Sequence, residues 1–343
     1  MYMRRNIRLK HVVVESWGLL LLVLAWSFAV VFMHEISGFH WLVVPVLPVT
    51  LVGIAVSLYV GFKSVSAYNR WWEARQAVGT IVVRSREWLI HVRSFIDIDV
   101  VSAADDVARE LLHRHLAWVF AVAHMLRRTS RLKTSGGSRI FTRRRADHTV
   151  AMMHQDPKSY GRFLDPEEYS VAQTYRNPAT FLLCRQADSL RELMQSGRLN
   201  GPREAMMTDM LGRLAESHGT CERIKNTPFP RQIACFATMF TWLFVFLLPL
   251  AFLDVFETAA AREQLSVSLT DEFVFTLAPL AAVISWVFLM MEKVSDSSED
   301  PFEGGVHDVP LSALCRIVEI EFKQAMGEKD IPPPLEPVDD VLY

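Results

Sequence analysis

No HExxH, GxSxG, Walker A loop or dinucleotide-type GxGxxG occurs in this 343-residue chain. Each of those spacings carries a specific chemistry, so their absence excludes the common routes to metalloprotease, hydrolase, phosphate-loop and dinucleotide activity. Cysteine is scarce. Cys184, Cys221, Cys235 and Cys315 are far apart and form no CxxC, which argues against a disulfide framework or a cysteine zinc site. The bland reading is reduced thiols in a cytosol-facing or membrane-buried protein. A net charge of −2 gives the whole chain no pull on nucleic acid.

Charge is missing altogether from four long stretches: residues 17–33, 41–62, 233–253 and 273–291. Each is near the roughly 20 residues a helix needs to cross a bilayer. Trp17, Trp41 and Trp71 sit near run ends, where interfacial anchors belong. With flanking residues, the spans are read as 17–33, 41–68, 232–254 and 272–291. The basic stretch before the first run resembles a signal peptide. No small-residue cleavage site follows it, so an uncleaved span is expected.

Lysine and arginine set the orientation. Residues 1–16 carry Arg4, Arg5, Arg8 and Lys10, and residues 63–231 hold 27 of the chain's 36 basic residues. The link 34–40 has none, and the link 254–272 has only Arg262. An inner-membrane protein is expected, with both termini and the 69–231 segment in the cytoplasm and the two short links outside. That segment reads as helical, from three- and four-residue apolar spacing. It is interrupted by a basic flexible loop at 127–149 around Gly136-Gly137. Loop contact with anionic lipid is one reading, and a solvated juxtamembrane loop is the favoured one. Aromatic interleaving is missing there, and no nucleic-acid partner is expected. Helices are expected again across 165–225, with a turn at 196–202. A cytosolic C-terminal segment spans 292–330. The proline-rich tail 331–343 reads as disordered.

The four charge-free runs hold no Asp, Glu, His, Lys or Arg, so neither an intramembrane catalyst nor a proton relay is expected there, and no cofactor. His34, Glu35 and His40 share an outer link, and His113 and His115 are two apart. Both groups are read as ordinary rather than metal-binding. Four spans are few for a wide aqueous path, so a pore would come from several copies around an axis. In the second span Ile54, Leu58 and Phe62 are four apart and stack along one face, drifting by about 40° per step. One residue back, Gly53, Ser57 and Gly61 form a small-residue stripe that permits close helix approach. A bulky apolar ring offers an ion no ligands and gates by dewetting.

Several segments in order resemble the bestrophin family, its prokaryotic branch in particular. They are Gly61-Phe62 followed by RWWEAR (70–75), then CERIKNTPFP (221–230), then EDPFEGGVHDVPLSALCRIVEIEF (299–322). With the four spans, the likeness covers nearly the whole chain. It implies an all-α integral membrane protein with a large helical cytosolic region, assembled as a homopentameric ion channel and not an enzyme. It makes Ile54, Leu58 and Phe62 the three rings of a narrow neck. A second constriction at the cytosolic exit would fall near Leu199 or Pro202. Asp300 and Asp308 would be remnants of the calcium clasp of animal members, although the dense aspartate run is gone. Arg70, with Glu73 or another acid, would fix the turn where the helix leaves the membrane. Trp71 and Trp72 would wedge it against its neighbours.

Animal members conduct chloride, and some prokaryotic relatives pass sodium. The outer link holds Asp254, Glu257, Glu263, Asp271 and Glu272 against one arginine, which tips the expectation slightly towards monovalent cations. The expected partners are copies of the chain, the lipid bilayer and small inorganic ions. A membrane-anchored interaction or lipid-binding protein without a conducting pore is the alternative.

Overall fold

The computed structural model describes residues 1–3, 9–35, 43–96, 103–128, 160–263, 272–305, 307–338 and 340–343. No β-strand occurs among them, only isolated bridges. The chain divides into two compact units: residues 5–69 with 228–299, and residues 1–4, 70–227 and 300–343. We call them the span unit and the body unit.

The span unit contains α1 (Leu9–Glu35), the first part of α2 (Val46–Phe95), α7 (Arg231–Arg262) and α8 (Leu277–Ser298). All four spans lie in helices long and apolar enough to cross a membrane. α1 packs on α7 and α8, and α7 packs on α8. Trp26 stacks on Phe246 at 4.4 Å, and its Nε1 donates to the Phe246 carbonyl at 3.2 Å. α2 joins through Val49, Val56 and Val60, which meet Phe244, Leu248 and Ala251.

The second span departs from its expected limits. It begins at Val46 rather than 41, and residues 43–45 are not helical. Pro45 restricts its predecessor to extended backbone. Pro48, in the first turn, occupies a position where a missing N–H costs nothing. Nor does the helix turn near residue 68. It continues unbroken to Phe95, because no proline and only the isolated Gly79 follow.

The body unit contains the rest of α2, then α3 (Ala103–Arg128), α4 (Pro166–Thr174), α5 (Pro178–Gln195), α6 (Gly201–Asn226) and α9 (Leu311–Ala325). One core holds it together, including Trp88, Leu116, Trp118, Leu214 and Phe322. Pro166, Pro178 and Pro202 open the first turns of their helices. Asn177 and Asn200 cap α5 and α6, accepting from Thr180 N and Arg203 N at 3.0 Å each. Gly197, at φ 76°, lets the chain reverse between α5 and α6.

The tail corrects an expectation. Residues 331–343 read as disordered, yet Val341 and Tyr343 are buried. Tyr343 O accepts from Ala313 N at 2.8 Å, and residues 340–342 pair with residues 1–3. Three prolines deny donors to the tail's start. Its end is apolar and has donors, so it finds both a core and a backbone partner. Residues 129–149 of the basic stretch lie outside the described residues.

Candidate functional site

α2 carries the candidate pore wall. Ile54, Leu58 and Phe62 are 55%, 60% and 71% exposed on the protomer, large apolar side chains in one row. The residues on the opposite side, Val49, Val56 and Val60, are buried. The stripe therefore has no cover within the span unit.

The small residues beside it do not act alike. Gly53 faces inwards, and a Cβ there would lie 2.7 Å from the Phe244 ring, so the glycine lets α2 close on α7. Ser57 is exposed and donates back to Gly53 O at 2.8 Å, which leaves its outward side small and chemically quiet. At Gly61 a Cβ would meet nothing within 4 Å.

Directly behind Phe62 lies a group that the reading of the sequence missed. Lys63 is 1% exposed. Its Nζ donates to Glu292 Oε1 at 3.0 Å and sits 3.8 Å from Asp296. Thr238 Oγ1 donates to the same Glu292 oxygen at 2.6 Å. Ser64 and Ser295 are hydrogen-bonded one residue further on. Lys63 thus ties the α2 turn that carries Phe62 to α7 and α8. The signal was present: a lysine at one span's inner end and an acid one residue past another's, at matching depth.

Arg70 pairs within the body unit. It donates to Ile224 O and faces Asp300 at 4.0 Å. Glu73 is not its partner but Arg223's. Trp71 Nε1 donates to His307 O at 2.8 Å, while Trp72 stays exposed. These residues bind α2 to α6 and to the segment after Asp300. The anticipated turn does not exist, because a continuous helix needs none.

Leu199 is 2% exposed, packed in the body core, and is removed as a constriction residue. Pro202 is exposed at the start of α6. The calcium reading of Asp300 and Asp308 also fails on geometry. Asp308 is buried and accepts from Gly304 N and, at 2.9 Å, from Gly305 N. Burial pushes its carboxyl up to about 6 against the pull of those N–H groups and of Arg127. Asp300 is turned to Arg70. Among the described residues no three His, Cys, Asp or Glu side chains gather as a metal would need.

Of the outer acids, Asp254 Oδ2 accepts from Val46 N at 3.2 Å and caps α2. Glu257 lies 3.0 Å from His34 Nε2, and Glu35 lies 3.3 Å from His34 Nδ1. Asp271 and His40 are outside the described residues. His113 meets Glu328 at 2.6 Å and His115 meets Ser85 at 2.9 Å, so the two rings serve separate contacts.

Comparison with known proteins gives a consistent picture. A family model described as bacterial/fungal bestrophin protein matches residues 6–262. A voltage-dependent anion channel-forming protein of Salmonella typhi, YneE, is 25% identical over 285 residues, 83% of this chain and 78% of its own length. One of Mesorhizobium japonicum with the same description is 26% identical, over 86% of this chain and 79% of its own. A crystal structure of a bacterial bestrophin homologue from Klebsiella pneumoniae superposes with a TM-score of 0.71 at 23% identity. That match covers 91% of this chain and 98% of the other.

Proposed function

This chain belongs to the bacterial/fungal bestrophin family, and from that premise we propose that it is a homo-oligomeric ion channel of the bacterial inner membrane. Proteins of this family are channels and not enzymes. The observation that carries the reading is the uncovered row Ile54, Leu58 and Phe62 on a helix of membrane-crossing length. Around a symmetry axis, five copies would bring three apolar rings together as a neck. Lipid alone would satisfy those side chains equally well, so the row acquires a function only through convergence. Gly53 seats the helix on α7, Lys63 holds its inner end, and the outward stripe is left for like helices. Both termini lie in the cytoplasm, by the basic residues around the first span.

The ions are small and monovalent. Relatives are named for anions, whereas the outer links of this chain are acidic and the described basic groups near them few. We read the path as favouring sodium over chloride. Asp254 and Glu257 are partly offset by the α2 N-terminus and by His34, so this preference is modest.

The test is purified protein in a planar bilayer under a NaCl gradient. A reversal potential near the sodium value supports the cation channel, and one near the chloride value reverses the sign of the ion. Ile54→Ala should raise unitary current by widening the neck. Trp72→Ala should alter assembly or current. If oligomeric protein passes no current, with or without Ile54→Ala, the chain is a membrane-anchored interaction protein instead.

A further inference from the structure

The body unit has a polar groove of about 290 Å³ between α2 and α6. Gln76, Thr80 and Arg84 line it from α2, and Arg213, Glu216 and Thr220 line it from α6. Two features mark it out. The first is helical register. Thr80 lies 18 residues beyond Phe62 on the same unbroken helix, which is five whole turns at 3.6 residues each. By register the groove's α2 wall therefore continues the side of the helix that carries the neck stripe. Along that side Gln76 and Thr80 follow the Ile, Leu and Phe of the stripe, interleaved with the exposed apolar Trp72, Val83 and Ile90.

The second feature is charge. Most charged groups around the groove are neutralised by a neighbour. Glu73 pairs with Arg223, Arg84 with Glu87 at 2.6 Å, and Arg213 with Asp209 at 2.8 Å. Glu216 is exposed in the groove and makes no ion pair among the described residues. Its backbone carbonyl accepts from Thr220 Oγ1, and among the described residues no cation pairs with its carboxylate, the groove's Arg84 and Arg213 being engaged by Glu87 and Asp209. The groove thus holds one uncompensated negative charge per copy, in a concave polar wall where fields are focused.

We propose that Glu216 is a specificity-determining residue of the conduction path, lining the wide aqueous vestibule on the body side of the neck and biasing it towards monovalent cations. This rests on the channel reading above. The apolar neck gives no ligands to an ion, so discrimination by sign must come from charges in the wider water-filled parts. A carboxylate repeated around an axis raises the local cation concentration there and lowers that of anions. The effect acts over a Debye length, about 10 Å at 0.1 M and about 3 Å at 1 M salt.

The experiment compares wild type, Glu216→Gln and Glu216→Lys in planar bilayers under NaCl gradients at low and high mean salt. Glu216→Gln should shift the reversal potential towards the chloride value, lowering the cation-to-anion permeability ratio about two-fold near 0.05 M and much less near 1 M. Glu216→Lys should shift it further in the same direction. Asp330→Asn, which removes one fully exposed acid elsewhere, should leave it unchanged. If wild type conducts and both Glu216 variants keep its reversal potential at low salt, the proposal is overturned. A shift as large in Asp330→Asn overturns it too, by reducing the effect to general surface charge. Absence of current in wild type defeats the channel reading itself, and this assignment with it.

Discussion

α2 passes through two surroundings, and its two halves follow different rules. From Val46 to Phe62, in the span unit, both faces are free of charge, and Lys63 is buried just beyond. Val49, Val56 and Val60 are buried while Leu47, Leu51, Ile54, Leu58 and Phe62 are exposed. From Arg70 to Phe95, in the body unit, the faces differ. Ala74, Ala77, Val78, Ile81, Trp88 and Val92 are buried, while Gln76, Thr80 and Arg86 face outwards. Water rewards the second pattern, because only burial removes apolar surface from it. Lipid is indifferent to the first, so packing there rests on close fit and on polar ties. The difference teaches where exposed apolar residues need explaining. In the body half Trp72, Val83 and Ile90 stand exposed among polar neighbours and call for a partner; in the span half such residues are lipid contacts or a seam for like helices.

The largest break in this comparison should come from Trp88→Ala. Emptying that site in the body core should cost about 3–5 kcal/mol and abolish or severely lower folded yield, read by thermal unfolding in detergent. Lys63→Met comes next. It strips the half-buried Glu292 of its cation and should cost about 2–3 kcal/mol, somewhat below a fully buried broken pair. The double variant Lys63→Met/Glu292→Leu should recover most of that loss. Failure to recover would mean that Glu292 serves a contact besides Lys63, the Thr238 hydroxyl being the one at hand.

Gly53→Val tests the close approach to Phe244, and overpacking there should cost about 1–3 kcal/mol. Asp308 then gives a pH signature in the body unit. Its folded carboxyl is pushed up to about 6, whereas an unfolded aspartate titrates near 3.9. Between those values the folded state holds a proton that the unfolded state has released. This group's contribution to stability therefore rises as pH falls through that window and is lost above it. The Tm of wild type minus that of Asp308→Asn should increase from pH 7 to pH 5. A flat difference would place the titration elsewhere. The smallest stability effect belongs to Leu58→Ala, within about 0.5 kcal/mol of wild type because its side chain is uncovered. Its unitary current should nevertheless rise. A large loss of stability would instead show that the stripe is packed as a core.

The sequence by itself determined the solvent of each segment. Four charge-free runs and the placement of lysine and arginine announce helices in lipid and helices in water, since transfer free energy depends on composition alone. It also marked the apolar stripe of the second span, because helical spacing is a local property, and the family, because the RWWEAR, CERI and EDPF segments occur in order. Tertiary structure decided the pairings. Arg70 met Asp300 rather than Glu73, Leu199 went into the core, Asp308 turned to backbone N–H groups, and the tail found residues 1–3. Lys63 and Glu292, 229 positions apart, became partners. No local pattern encodes such contacts. They depend on which faces the packed helices bring together, and a charge takes the nearest partner left to it once water is gone.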